Sequence, residues 1–284
     1  MAHSEPLASN AIATLLILAC IVLPALSAIE FPRNGGWLEM AMTEWHQMSL
    51  KVTRPIYLRG EFSQIKSRLH SISREPWTRF WAKCFTSTDC VYDIGANVGA
   101  MSLYFATCVP DGVVYAFEPS PLAFAELVEN VAYNKITNIR PIEAGVGERT
   151  GTEKFALSSS RPSGALHTWG TGVDTNVIAL DDFAGPTPHH LFIDTDNYEI
   201  GVLKGARARL ATCQSVMCEF AVGNELVGSE LLAEAGLMRF GSFHRIKNGS
   251  PSRWSQALWC RDPDRFQMIR KKVTQSDRAI VVYD

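Results

Sequence analysis

The sequence predicts an α/β fold with a mostly parallel sheet, helices on both faces of that sheet and a late antiparallel pair of strands at one edge. Short apolar runs of strand character alternate along the chain with stretches of helical spacing. Two of the early runs carry an acidic residue at or near their carboxyl ends, each followed by a turn that contains glycine or proline. Parallel strands joined by helices need right-handed crossovers, so such units stack into a doubly wound sheet that binds ligands beyond the carboxyl ends of its strands.

The length and composition of the chain limit the number of domains and the kinds of partner. The chain has 284 residues, 46% of them hydrophobic, which is enough for one domain with a sizeable core plus appendages. The formal net charge is -2, so nothing in the overall charge favours nucleic acid, and we expect no nucleic-acid partner. Six cysteines follow the N-terminal segment and would permit disulfides in an oxidising compartment. Two of them, Cys90 and Cys218, fall in predicted central strands, where we interpret them as small buried hydrophobes.

Residues 1–30 form a hydrophobic N-terminal segment. The run Ala11–Ile29 contains no charged residue and, as a helix, is just long enough to cross a bilayer. A retained single-pass signal anchor is favoured, because residues 1–10 lack the lysine or arginine of a typical signal peptide. The alternative is secretion after cleavage, with Pro24 breaking the helix ahead of small residues that end at Ala28. A buried soluble helix fits less well, since the run shows no polar face.

Residues 31–84 are predicted to form a helical connecting region, and residues 85–284 the main domain. The connecting region is rich in tryptophan, arginine and lysine. We interpret it as a lead-in that packs on the domain and extends its basic groups into water. A membrane-interface or substrate-entry surface is the alternative.

A strand, a glycine-bearing turn and a helix open the domain. The apolar run Cys90–Ile94 predicts the strand, and the turn that follows contains Gly95 and Gly99. Helical spacing then continues through Val98, Met101, Phe105 and Cys108.

A second strand and helix follow. Val113–Phe117 predicts the strand, which ends in Glu118-Pro119. Ser120 is expected to cap the next helix, with Pro121 at its first position. Helical spacing predicts an inner face made of Leu122, Ala125, Val128 and Ala132.

The remaining elements are less regular. Further strands are predicted at residues 139–146, 154–158, 177–180, 191–193 and 215–220, and the late antiparallel pair at residues 243–246 and 279–283. Helices are predicted with inward residues Ile200, Leu203, Ala206 and Leu210, then Val227, Leu231, Ala235 and Met238. Residues 161–175, which include His167, are predicted to form a loop, which is a candidate cover for the site. His189 and His190 are interpreted as loop residues at the far end of the fourth main strand.

Five segments in order resemble the signature of FkbM-family methyltransferases. They are Val91-Tyr92-Asp93-Ile94-Gly95-Ala96-Asn97-Val98-Gly99, Phe117-Glu118-Pro119, Glu129-Asn130 with Tyr133-Asn134, Leu180-Asp181-Asp182, and Ile193 to Glu199 followed by Val202-Leu203-Lys204-Gly205-Ala206. The chain departs from the family at three positions. The family usually has Glu-Gly where this chain has Asp196-Asn197, and usually lysine where it has Phe192.

The resemblance implies a class I, Rossmann-like methyltransferase fold that binds S-adenosylmethionine (SAM). The residues expected to bind the cofactor are Asp93, Gly95, Ala96, Asn97, Gly99, Glu118 and Pro119. The two glycines would allow close backbone approach, and Glu118 would accept hydrogen bonds from the ribose hydroxyls. Asp93 would face the methionine amine, directly or through water. A nicotinamide cofactor is disfavoured, because the turn lacks the G-x-G-x-x-G spacing.

The expected catalytic residues are Asp194, Asp196 and Glu199. Methyl transfer is a direct displacement, and a hydroxyl acceptor also benefits from a base. Asp194 is the first candidate for that base or for orienting the acceptor, with Asp196 and Glu199 second. The alternative for these two is structural: helix capping by Asp196 or Asn197, and pairing of Glu199 with the helix dipole.

The function that the resemblance implies is O-methylation of a sugar, a lipid-linked or another small-molecule acceptor. The alternative is a membrane-tethered domain that binds SAM, or serves interaction, without methyl transfer. Four carboxylates could together hold a divalent ion if they converged, namely Asp181, Asp182, Asp194 and Asp196. The sequence does not bring these four together, and no metal is expected.

Overall fold

The computed structural model describes residues 46–47, 56–58, 76–156, 168–169, 172–221, 223–247 and 250–274, all of which belong to the unit Met42–Asp284. Its strands are β1 (His46–Gln47), β2 (Tyr57–Leu58), β3 (Cys90–Ile94), β4 (Val113–Phe117), β5 (Ile139–Ile142), β6 (Gly145–Val146), β7 (Gly151–Ala156), β8 (Thr168–Trp169), β9 (Val173–Ile178), β10 (His190–Ile193), β11 (Ser215–Ala221), β12 (Met238–Lys247) and β13 (Ser250–Cys260). Its helices are α1 (Pro76–Ala82), α2 (Ala100–Cys108), α3 (Pro121–Tyr133), α4 (Glu199–Lys204), α5 (Arg207–Leu210), α6 (Glu225–Glu234) and α7 (Pro263–Thr274).

Seven strands form the main sheet in the order β12-β13-β11-β10-β3-β4-β5. Strands β11, β10, β3, β4 and β5 are parallel to one another. Strand β13 is antiparallel to both of its neighbours, so β12 runs in the same direction as the parallel strands. The predicted fold class, a mostly parallel sheet with a late antiparallel pair at one edge, is confirmed.

The partner in the late pair differs from the prediction. The predicted strand at residues 243–246 lies within β12, but it pairs with β13 at residues 250–260. The other predicted strand, at residues 279–283, lies outside the described residues. A proline, three serines and an arginine interrupt the apolar pattern of residues 250–256, which is why this stretch gave no strand signal.

Two apolar clusters cover the two faces of the sheet. One contains residues from α1, α2, α3 and α7, and the other contains residues from α4, α5 and α6. All residues of β3 and β10 are buried, which explains why these central strands read as continuous apolar runs.

Helix α3 faces the core with a different stripe from the predicted one. Ala123, Leu127 and Asn130 are buried on its inner face. The predicted inner residues are all exposed, namely Leu122, Ala125, Val128 and Ala132. The helix carries two apolar stripes, and spacing alone does not tell which one packs on the sheet. Its start is as predicted, with the Ser120 side chain accepting from the Ala123 N–H and Pro121 in the first turn. A similar shift occurs in α6, where Gly228 and Leu232 are the buried residues.

A second sheet, absent from the prediction as a unit, lies between β5 and β10 in the chain. Its order is β6-β9-β7-β8, with β7 antiparallel to both of its neighbours. Residues 168–169 form β8 and residues 173–175 belong to β9, so these parts of the predicted loop are wrong. His167 lies outside the described residues.

The lead-in to the domain contributes to its core. Ile56, Leu58, Phe80 and Trp81 are buried in the same cluster as the sheet residues. Strand β2 is held by the end of α3, because the Tyr57 N–H donates to Asn134 Oδ1 (2.8 Å) and Asn134 Nδ2 donates to the Tyr57 carbonyl (2.7 Å). The boundary between residues 84 and 85 stays a prediction.

Within the part of the chain that the structure describes, no helix combines the length and apolar character needed to cross a membrane. The hydrophobic run Ala11–Ile29 falls outside that part. Cys84, Cys90, Cys108, Cys213, Cys218 and Cys260 are all free thiols.

A buried polar network lies at the amino ends of the central strands. His190 Nε2 lies 2.9 Å from Asp89 Oδ2, and its Nδ1 lies 2.7 Å from Ser215 Oγ, which also accepts a hydrogen bond from Trp81 Nε1. His190 is therefore a buried strand residue rather than the loop residue predicted. Burial lowers the pKa of His190, although Asp89 opposes this shift. Burial acts to raise the pKa of Asp89, but hydrogen bonds from His190 and Thr86 hold it well below its usual range.

This network predicts a loss of stability in mild acid. Below the ordinary histidine pKa of 6.5, the unfolded chain takes up a proton that neutral, buried His190 does not. We expect the free energy of unfolding to fall by about 1 kcal/mol from this group between pH 7 and pH 5.5, in urea denaturation. The His190→Gln variant should lose this part of the pH dependence. His189→Gln, the neighbouring half-exposed histidine, should retain it. Equal pH slopes for wild type and His190→Gln would contradict the assignment.

Candidate functional site

The candidate site lies where the order of the sheet reverses. The chain proceeds from β3 to β4 and β5 on one side, whereas β10 and β11 lie on the other side of β3. Ligands of open α/β sheets bind at such a switch point, outside the carboxyl ends of the strands. Here the two strand ends touch, because a Cβ built on Gly95 would lie 2.0 Å from the Asp194 carbonyl oxygen. The Asp194 N–H donates to the Ile94 carbonyl (3.0 Å) and fixes this contact.

The turn after β3 depends on left-handed backbone conformations. Gly95 and Gly99 both have φ of 86°, and Asn97 has φ of 51°. A side chain at Gly99 would also press on Leu127 of α3, at 2.4 Å from its Cδ1. Asparagine is among the few non-glycine residues that tolerate this region, so the residue types of the turn follow from its shape.

Glu118 joins this turn to the next one. Its Oε2 accepts a hydrogen bond from the Asn97 N–H and its Oε1 accepts one from the Ser120 N–H, both at 2.8 Å. The carboxylate is buried, and Pro119 beside it is half-buried. Glu118 is thus placed between the ends of β3 and β4 and orients the backbone of both.

Asp93 lies beneath the turn rather than on its surface. Its side chain is fully buried, and the Ser102 hydroxyl of α2 donates to its Oδ2. In this position the carboxylate fixes the start of α2 relative to β3. A direct contact with a ligand, one of the two roles expected for Asp93, would require it to become exposed.

Asn130 is a site residue for which the sequence gave no role. It is fully buried on the inner face of α3, and its Nδ2 donates to the Val98 carbonyl at 2.8 Å. Helix α3 therefore holds the glycine turn from behind. The available signal was an asparagine at helical spacing from Ala123 and Leu127, within a stripe that is otherwise apolar.

A second tight turn follows β10. Asp196 and Asn197 take φ of 49° and 83°. Asn197, which stands where the resembled family has glycine, keeps a backbone shape that glycine favours. The N-cap of α4 is Tyr198, so the alternative in which Asp196 or Asn197 caps this helix is wrong. Asp194 and Asp196 are both half-buried at this end of the sheet.

Glu199 is enclosed behind this turn. Its Oε1 accepts hydrogen bonds from the Asn197 N–H (2.9 Å) and the Thr195 hydroxyl (3.4 Å), and its side chain is fully buried. Burial raises the pKa of Glu199, and the nearby Asp194 charge adds to the shift. Its surroundings suit a residue that shapes the Asp194–Asn197 turn rather than one that reaches a substrate.

Asp181 and Asp182 are engaged elsewhere. Asp181 accepts hydrogen bonds from the N–H groups of Ala208 and Arg209, both at 3.0 Å, at the start of α5. Asp182 accepts one from the Thr150 hydroxyl (2.6 Å). Among the described residues, no group of three or more His, Cys, Asp or Glu side chains is arranged to hold a metal ion.

The carboxyl ends of the central strands offer two groups of ligand-binding atoms, one on each side of the switch point. Gly95–Gly99 and Glu118 offer a backbone cradle and a carboxylate on the β3–β4 side. Asp194 offers a second, more accessible carboxylate on the β10 side. A ligand lying across the switch point would contact both.

The chain is similar to known proteins over about half of its length. The sequence model of the methyltransferase FkbM domain matches residues 93–238, just over half of the chain. The chain is 29% identical over 155 residues to the hexuronic acid methyltransferase AglP of Haloferax volcanii, covering 52% of this chain and 63% of that protein. It is 33% identical over 69 residues to the 31-O-demethyl-FK506 methyltransferase FkbM of Streptomyces tacrolimicus, covering 24% of this chain and 26% of that protein. The chain therefore spans less than two thirds of the length of these relatives.

A solved structure of methyltransferase FkbM from Methylobacillus flagellatus is also similar. It has 17% sequence identity and a TM-score of 0.47, and the match covers 62% of this chain and 44% of that one.

The contact between Gly95 and Asp194 predicts a severe effect of one methyl group. Gly95→Ala should cost at least about 3 kcal/mol of unfolding free energy, because the new Cβ clashes with backbone and φ is positive. The matched control is Gly151→Ala, where a Cβ would meet nothing within 4 Å; it should change stability by less than about 0.5 kcal/mol. Urea denaturation of both variants checks this, and equal stabilities would show that the two strand ends do not meet as described.

Proposed function

Because this chain belongs to the methyltransferase FkbM domain family, we propose that it is a SAM-dependent O-methyltransferase acting on a sugar, a lipid-linked or another small-molecule acceptor. The observation that carries the proposal is the position of the family-matched residues. The turn Gly95–Gly99, Glu118 and Asp194 all fall within the matched segment 93–238 and meet at the switch point of the sheet.

The residues on the β3–β4 side fit SAM. Each oxygen of Glu118 accepts one backbone hydrogen bond at the ends of β3 and β4, and a charged carboxylate in this position is a suitable acceptor for the hydroxyls of a ribose. Gly99 caps α2 without a side-chain hydrogen bond, which leaves the first N–H groups of a nine-residue helix for an amino acid carboxylate. When bound, SAM supplies a methyl group activated by its positively charged sulfur.

Asp194 is the residue that we assign to the acceptor. It borders Gly95 at the strand end and is more accessible than Asp93, Glu118 or Glu199. Its carboxylate would accept a hydrogen bond from the acceptor hydroxyl, orient it towards the methyl group and take up its proton as the bond to carbon forms. Glu199 supports this role by holding the turn that contains Asp194.

The sugar class of acceptor is supported by a relative. AglP is named a hexuronic acid methyltransferase, and it matches this chain over 155 residues. The alternative is a domain that binds SAM without methyl transfer. It would show cofactor binding but no methylated product. Asn197, which stands where the resembled family has glycine, takes a left-handed backbone conformation that glycine also favours, so this departure is not by itself an argument for the inactive alternative.

We further propose that the chain is attached to a membrane by a single pass through Ala11–Ile29. The support is the length of this uncharged run and the absence of lysine and arginine in residues 1–10. Secretion after cleavage of the segment is the alternative. No nucleic acid takes part in this proposal.

Cofactor binding tests the proposed function. In titration calorimetry, the full chain should bind SAM, and Glu118→Ala should weaken binding by about 2 kcal/mol through loss of a charged hydrogen-bonding partner. The control is Glu234→Ala, an exposed carboxylate at the end of α6, which should bind SAM as the wild type does. Absence of SAM binding by a well-folded wild type would overturn the proposed function.

Membrane attachment is tested on the native protein. We expect it to stay with the membrane fraction after carbonate washing and to have an intact mass that includes residues 1–28. A soluble product that begins near residue 29 would instead establish cleavage and release.

A further inference from the structure

The strand registers place three polar residues side by side on the far side of the switch point. Ile193 of β10 pairs with Cys218 of β11, so the next residues, Asp194 and Glu219, are level with each other. Glu219 pairs in turn with Gln256 of β13. Paired residues of neighbouring strands share a face of the sheet. Asp194, Glu219 and Gln256, which we call the polar row, therefore lie on one face across three adjacent strands.

An apolar floor lies directly beneath the polar row. Two residues along each strand from the polar row, on the same face of the sheet, Phe192 pairs with Met217, and Met217 pairs with Leu258. All three belong to one buried cluster. Gln256 itself is only 6% exposed. A polar side chain buried beside a core is an informative exception to ordinary burial, and at the carboxyl ends of parallel strands it is a candidate for ligand binding.

The polar row begins at the candidate site and leads away from the cofactor side. Its first member, Asp194, borders Gly95 at the switch point, whereas Glu118 lies one strand beyond Gly95 in the opposite direction. Gln256 lies outside the family-matched segment 93–238. Its presence in the row is thus a feature of the β12–β13 hairpin of this chain.

Three carboxylates act together at this end of β11. The pKa of the Cys218 thiol is raised well above its usual range, first by burial and then by the charges of Glu199, Glu219 and Asp194. Among the described residues, no group of three or more His, Cys, Asp or Glu side chains is arranged to hold a metal ion here. Carboxylates that lie close together accept hydrogen bonds from hydroxyl groups of a substrate. Their negative charge disfavours binding of a substrate that is itself negatively charged.

We propose that Glu219 and Gln256 bind the acceptor, and that with Asp194 they accept hydrogen bonds from hydroxyls of a neutral sugar. This inference rests on the proposed function and narrows its substrate class to uncharged sugars, in contrast to the hexuronic acid for which the relative AglP is named. Neighbouring strands lie about 4.8 Å apart, a spacing that hydroxyls on one sugar ring can span. The Gln256 amide can both donate and accept, which suits a hydroxyl at the far end of the row.

The test is binding of simple glycosides to the full chain saturated with S-adenosylhomocysteine. Saturation-transfer NMR compares the neutral methyl glycosides of glucose, galactose and mannose with the matching uronates. At least one neutral glycoside should bind, and its uronate should bind at least about tenfold more weakly. Glu219→Gln should weaken binding of the neutral glycoside by about tenfold, because it removes a charged hydrogen-bond acceptor. The same change should reduce the difference in affinity between the neutral glycoside and its uronate. Gln256→Met should also weaken the neutral glycoside.

The control is Glu230→Gln, an exposed carboxylate of α6, which should leave glycoside binding unchanged. All variants should keep the affinity of the wild type for S-adenosylhomocysteine, which shows that the fold and the cofactor side are intact. If that affinity is present but no neutral glycoside binds, or uronates bind equally well, the proposal is overturned. If S-adenosylhomocysteine does not bind the wild type, the proposed function itself fails.

Discussion

The candidate site depends on the hydrogen bonds that the Glu118 carboxylate accepts. This carboxylate lies between the ends of two parallel strands and accepts one hydrogen bond from a backbone N–H in each of the turns that follow them. A charged acceptor is well suited to this position, because its hydrogen bonds are stronger than those of a neutral group. The same carboxylate that would bind a cofactor therefore also builds the cradle around it. Removing it would leave two buried N–H groups of separate turns without their partner.

Much of the family-like signature serves this architecture rather than the chemistry. Asn130 supports the glycine turn, and Asn134 anchors the strand β2. Asp181 caps α5, while its own N–H donates to the Gly205 carbonyl. Gly205 is small because a Cβ there would lie 1.9 Å from the carbonyl oxygen of Gly147. Once these contacts are assigned, few residues at the switch point are free to meet an acceptor, and Asp194 stands out among them.

The sequence allowed the parallel sheet, the glycine turn, the acidic strand ends and one strand of the edge pair, β12, to be predicted, because each has a local pattern. It did not reveal which stripe of α3 packs inward, since both stripes are apolar and only the tertiary packing decides. It did not reveal the network around His190 or the row with Glu219 and Gln256 either. Those residues are far apart in the chain, and strand register brings them together.

The order of strands at the sheet edge has a consequence for synthesis of the protein. Strand β13 fits between β11 and β12, although it is the last of the three in the chain. Until residue 260 has left the ribosome, β11 has no neighbour on that side, and at about 5–20 residues per second this stage lasts for seconds. An open strand edge is a template for wrong pairing. A nascent chain that stalls before Ser250 would therefore present β11 to chaperones, or to other unfinished copies of itself.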